Sequence, residues 1–212
     1  MSYLETKRNA IMNAVASGGG RLPSEYQEVE WIENTDKSSG NNNNAYILTQ
    51  FIPTDNTKLE IEVMTFNNTG NISLACDTGS NPSFGITRPS SNTCDGYFQI
   101  TKYTGSIIDN AKNKIEFSQA EYKINNVVVA SNLRGQSITN RDIPIFAFRY
   151  GNNFYISHSR LYSYKLYESG TLERDYVPCY RKSDNKVGLY DLVNSEFVTS
   201  ANSYEFTKGG DV

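Results

Sequence analysis

The sequence predicts an all-β chain folded as an antiparallel β-sandwich, and three observations carry that expectation. From residue 22 onward, apolar and polar residues alternate with a period of two, the pleat of a half-buried strand. Clusters of Asn, Asp, Ser and Gly recur between the alternating runs, and they tolerate the left-handed conformations that hairpin turns require. The 212 residues include 15 Tyr and 10 Phe, side chains that suit pleated surfaces. That length is enough for one sandwich with a full core and a small appendage.

The appendage comes first. Residues 2–17 are the one strong helical signal. Ser2 and Glu5 form a capping box, and Leu4, Ile11, Met12 and Val15 fall on one helical face. Gly18, Gly19 and Gly20 end the helix and supply a joint. The expected organisation is a docking or oligomerisation helix at 1–17, a glycine joint at 18–21 and a sandwich at 22–212. A free helix of this length is marginal in water, so its apolar face is expected to dock on a partner or on further copies of the chain, with folding back onto its own sandwich as the alternative.

The strands follow in order. Val29 and Trp31 alternate with Glu28 and Glu30, which marks Trp31 as a core residue. A polar insert containing four consecutive asparagines precedes a strand at 46–51. Residues 58–66 alternate cleanly, with Leu59, Ile61 and Val63 on one face and Glu60, Glu62 and Met64 on the other. Shorter strands are expected at 71–76, 83–87 and 96–103, then at 114–118. Residues 121–131 form a hairpin whose Asn125-Asn126 pair suits a type I′ turn. Strands at 143–149 and 153–158 flank Tyr150-Gly151-Asn152, and 160–167 alternates again. The closing segment, 172–199, holds strands at 176–181, 186–190 and 195–199, turning at Ser183-Asp184-Asn185 and at 191–194.

Two of these segments carry a resemblance. Residues 172–199, LERDYVPCYRKSDNKVGLYDLVNSEFVT, resemble the recurring phrase RDFIPCYRKSDNKVGMYDLVNGKFYTN, and residues 22–34, LPSEYQEVEWIEN, resemble LPxGYxxVEYIESTG. Both phrases belong to a domain of bacteriophage and prophage tail, baseplate or fibre-associated proteins. The resemblance implies a concanavalin A-like (laminin-G-like) β-sandwich or jelly roll, and a virion context. In the middle of the chain only residues 114–129 match, as a hairpin pattern. The family's link STGTQYIDTG is replaced here by residues 35–49 with their Asn-rich insert.

Composition narrows the chemistry. Net charge is −3 with acids and bases interspersed, so no basic stripe exists to neutralise nucleic-acid phosphates. No apolar run approaches the roughly 20 residues that span a bilayer, and the charged N-terminus does not read as a signal peptide. The expected place of synthesis is therefore a cytoplasm, which the phage resemblance implies is that of a bacterial host. Cys76, Cys94 and Cys179 are irregularly spaced, which favours buried thiols over a disulfide framework, with a Cys76–Cys94 bridge as the alternative. Retaining glycosidases of the concanavalin A-like class carry E-x-D-x-x-E on one strand. The nearest match begins Glu60-Ile61-Glu62, but Thr65 stands where the acid/base belongs. His158, the single histidine, lacks a nucleophile-elbow context and reads as structural. The cysteines lack the paired spacing of a zinc site, and calcium is conceivable through Asp77 and Asp95, with Asn152 and Asn153 as further oxygen donors, although these form no compact acidic cluster. No cofactor is expected.

Binding remains. Sugar recognition uses aromatic faces together with Asn and Asp side chains, and the candidates near turns are Tyr97, Tyr103, Tyr150, Asn152, Asn153 and Tyr155. The expected protein is non-enzymatic: a virion adhesion module of a tail fibre, baseplate or head fibre. It binds host or mucosal surface glycans, is present in many copies, and attaches through its N-terminal helix to other virion proteins. The alternatives are a purely structural decoration or joining subunit, and a glycoside hydrolase of the same fold.

Overall fold

The computed structural model describes residues 21–34, 44–66, 72–77, 83–99, 101–133, 141–150, 153–156 and 158–212. The helix expected at 1–17, with Leu4, Ile11, Met12 and Val15, lies outside the described residues. Among the described residues there are only strands, turns and irregular segments, and no helix is long and apolar enough to cross a membrane.

The strands, in chain order, begin with β1 (Tyr26–Glu28), β2 (Ile32–Glu33), β3 (Ile47–Leu48), β4 (Thr57–Thr65), β5 (Ile72–Asp77) and β6 (Ser83–Arg88). Next are β7 (Thr93–Gln99), β8 (Thr101–Ser106), β9 (Lys112–Ser118), β10 (Glu121–Ile124), β11 (Val127–Ser131), β12 (Pro144–Ile145) and β13 (Ala147–Tyr150). The last are β14 (Asn153–Ile156), β15 (Ser159–Glu168), β16 (Thr171–Arg181), β17 (Lys186–Asp191), β18 (Glu196–Val198) and β19 (Thr207–Lys208). The large sheet runs β11-β10-β9-β4-β15-β16-β17-β18, with β1 on β16 and β2 bridging β15 and β19. The second runs β14-β13-β5-β6-β7-β8, and β3 pairs with β12. Pairing is antiparallel except between β13 and β5.

The alternation read in the sequence explains how these sheets meet. Along β4 every odd residue is buried and every even one half-exposed, so Leu59, Ile61 and Val63 turn inward with Ile115 and Phe117 of β9. From the second sheet come Phe84, Ile86 and Phe98. Phe117 sits 5.4 Å from Phe84 and 6.1 Å from Phe98, and Tyr122 meets its edge at 5.4 Å. Both sheets thus share one core, an arrangement consistent with a β-sandwich. Gly96 lets them close: a Cβ there would lie 2.6 Å from Phe117 Cε2. At one end of the sandwich, buried Arg88 grips Asp109 with two bonds of 2.8 and 2.5 Å.

Three expected strands differ. The 46–51 strand shrinks to β3, because Gln50 adopts a positive φ of 54°. The strand expected at 143–149 breaks at Phe146, φ 66°, into β12 and β13. The strand expected at 96–103 is a hairpin of β7 and β8, pairing Phe98 with Thr101. The closing ladder is as read: β16, β17 and β18 pair in sequence, and Asn185 and Ser195 take the positive φ their turns require.

Candidate functional site

The residues weighed as alternatives for chemistry are engaged in structural contacts. Cys94 and Cys179 are free and buried, so Cys94 forms no bridge to Cys76. Burial pushes both thiols up to about 12, away from thiolate reactivity. Glu60 and Glu62 share the outer face of β4, but Lys58 meets Glu60 at 2.6 Å and Lys112 meets Glu62 at 2.7 Å. Asp77 pairs with Phe84 and Asp95 with Thr87, three positions apart along β6. They stand on opposite sides of β6, so the rise along it and two strand spacings together place the two proposed calcium ligands about 14 Å apart. Asp95 instead accepts a bond of 2.6 Å from the Thr104 hydroxyl, and no cluster of three metal-ligating side chains occurs among the described residues.

The expected sugar-binding residues are only partly brought together. Tyr97 pairs with exposed Lys102, whereas Tyr103 pairs with Gly96 and packs against the core. Paired residues share a face and sequence neighbours do not, so Tyr97 and Tyr103 serve opposite faces of the second sheet. Across that sheet one register row runs Tyr155, Phe148, Cys76, Gly85, Tyr97, Lys102. Tyr150 and Asn153 pair with each other two residues along the hairpin. Asn152 lies outside the described residues, and so do the side chains of Tyr150, Asn153 and Tyr155.

A better-defined constellation lies on the outer face of the large sheet, around Arg160. A register row runs from Glu33 of β2 through Arg160 of β15 and Met64 of β4 to Lys112 of β9. The β15 register slips between Leu161 and Ser163, a bulge that inserts Tyr162 as the extra residue beside this row. Arg160 Nε donates to Glu33 Oε2. The Arg160 guanidinium carbon lies 4.1 Å from the centroid of Trp31 and 5.3 Å from that of Phe66. Phe66 in turn stacks on His158 at 4.2 Å, and His158 Nε2 lies 2.7 Å from Glu33 Oε1. Two strands away, Lys112 Nζ sits 4.9 Å from the ring centroid of Tyr162. Trp31, Phe66, Tyr162, Met64 and Arg160 are all half-exposed.

This geometry corrects one expectation and meets another. Trp31 is not core: it lies between the Val29 bridge and β2, with Arg160 on its ring and Gly209 at its edge. His158 is structural, as expected, since it braces Glu33 from the side opposite Arg160. Arg160 was absent from the candidates, although alternation along 160–167 already placed it in outward phase. Its guanidinium is flanked by two aromatic rings, and among the described residues no acceptor meets its two Nη groups, a combination that holds flat or anionic groups.

No family model matches the chain, and no curated protein matches it. Among solved structures it is similar to "A mutant of Trypanosoma rangeli sialidase displaying trans-sialidase activity", at 10% identity and a TM-score of 0.40. The match covers 77% of this chain and 35% of that one, so the chain spans about a third of its neighbour's length. One expectation is corrected on this finding. A chain whose solved neighbour is a sialidase mutant with trans-sialidase activity is not to be set down as non-enzymatic, and that exclusion is withdrawn. A likeness this distant assigns no reaction to it.

Proposed function

We propose that the chain is an adhesion module of a bacteriophage particle, a concanavalin A-like sandwich that binds surface glycans. Its N-terminal helix attaches it to other virion proteins. The resemblance of residues 22–34 and 172–199 to phage tail and fibre-associated domains supports the setting. The outward cluster of Trp31, Phe66 and Tyr162 around Arg160 and Lys112 carries the glycan reading. Aromatic and thioether surface suits the C–H faces of a sugar ring, and the cations with Glu62 read its polar substituents. A single shallow face of this kind binds weakly. Many copies on one particle raise the effective concentration of the second contact and make weak sites sufficient.

The test is a glycan array probed with the full chain displayed multivalently. Bound glycans should be lost on Tyr162→Ala, a half-exposed bulge residue, and retained on Tyr97→Ala, which lies on the other sheet. Absence of any glycan or host-cell binding would leave the chain a structural subunit that touches only other virion proteins.

A further inference from the structure

We propose that the glycans bound at this site are acidic sugars, held through a carboxylate by the open edge of Arg160; this rests on the glycan reading above. Arg160 has five N–H donors in a planar fork. One of them, at Nε, is committed to Glu33. Among the described residues no acceptor meets its two Nη groups, and the side chain keeps 30% of its surface exposed. Trp31 and Phe66 flank the guanidinium while Glu33, braced by His158, fixes its rotation. The two Nη groups therefore present parallel donors to solvent at little further entropic cost. A planar carboxylate matches that spacing with two parallel bonds.

Charge selects among anions. Glu33 already offsets one unit at Arg160, and Lys112 is paired with Glu62 at 2.7 Å. The site therefore suits a group of single negative charge better than a phosphate dianion. Met64 lies between the two cations in the register row, with Tyr162 beside Lys112. Arg160 and Lys112 stand two strand spacings apart, about 10 Å, room for a sugar ring whose carboxylate meets Arg160 and whose hydroxyls meet Glu62 and Lys112.

The experiment compares carboxylated glycans on the array with the same glycans after reduction of the carboxyl to a primary alcohol, using the full chain. Carboxyl reduction should weaken binding by about tenfold or more, the loss expected for hydrogen bonds to a charged group. Arg160→Gln should match that loss on the carboxylated glycans and leave the residual binding of the reduced ones unchanged. Lys112→Met, well away from the Glu33 contact, provides a second variant that weakens binding without touching the stack. Bound glycans that are neutral or sulfated, or a carboxyl reduction that changes affinity by less than about twofold, overturn the acidic-sugar assignment and leave the glycan reading standing. Binding of no glycan at all removes that reading itself. Arg160-dependent capture of acidic peptides at equal strength assigns the site to protein partners instead.

Discussion

Arg88 and Asp109 show how much one residue pair does for this sandwich. Two Arg88 bonds end on the Asp109 carboxylate, which also accepts from the Thr65 hydroxyl at 2.9 Å and the Asn92 backbone amide at 3.1 Å. Burial alone would raise the Asp109 pKa, but these donors outweigh it and hold the carboxyl below its usual range. A folded-state pKa below the unfolded one contributes stability above the unfolded carboxylate value of about 3.9, lost as pH falls through the folded value. Urea midpoints should therefore drop as pH falls below about 4, and less steeply in Arg88→Met. At neutral pH that variant strands a buried carboxylate and should lose about 3–5 kcal/mol in urea unfolding. Thr65→Val, which removes one donor, is expected to lose about 1 kcal/mol. Gly96→Ala offers a second residue-scale test. Its methyl would meet Phe117 at 2.6 Å and Tyr122 at 3.2 Å, so overpacking should cost about 1–3 kcal/mol by the same measurement. None of this was legible in the sequence, where Arg88 and Asp109 are two charges among many. Burial and bidentate geometry arise only when β6 and the loop after β8 are brought together.

At the scale of elements, hairpins with turn chemistry were readable and those without it were not. Asn125 and Asn126 both adopt positive φ, 52° and 65°. Asn125 also accepts from the Lys114 amide at 2.9 Å and donates to Asn113 at 3.0 Å. Asn126→Val forces a β-branched residue into the left-handed region and should destabilise by about 1–2 kcal/mol in urea unfolding. Between the paired residues Phe98 and Thr101 the sequence reads Gln-Ile, neither a turn residue, so alternation on both sides reads as one strand from 96 to 103. That misreading put Tyr97 and Tyr103 together; a reversal of direction sends them to opposite faces. Trp31 failed for a related reason. Period two marks a face but does not say whether the second face is covered, and at Trp31 the cover is a guanidinium rather than a second sheet.

For the whole molecule, the two ends of the described chain lie together. Gly209 N donates to Trp31 O at 3.0 Å, Glu30 N to Gly210 O at 2.9 Å and Val212 N to Glu28 O at 3.1 Å. Segment 207–212 therefore straps the edge that carries Trp31. Removing residues 208–212 should lower stability and weaken glycan binding together, read by thermal unfolding and by the array. Ile11→Asp with Val15→Asp is expected to reduce incorporation into particles or lower the native mass, with the unfolding transition unchanged.

The strap also sets an order of events during synthesis. β1 pairs with β16, β2 with β15 and β19, and Val29 with Asp211. Every pairing that holds the first strands joins residues more than a hundred positions apart. Such non-local closure is slow, and β1 and β2 have no strand partners until most of the chain has left the ribosome. Nascent chains halted before residue 160 should expose Trp31 and Ile32 to chaperones, and protection of that segment from protease should appear only once β15 and β16 have emerged.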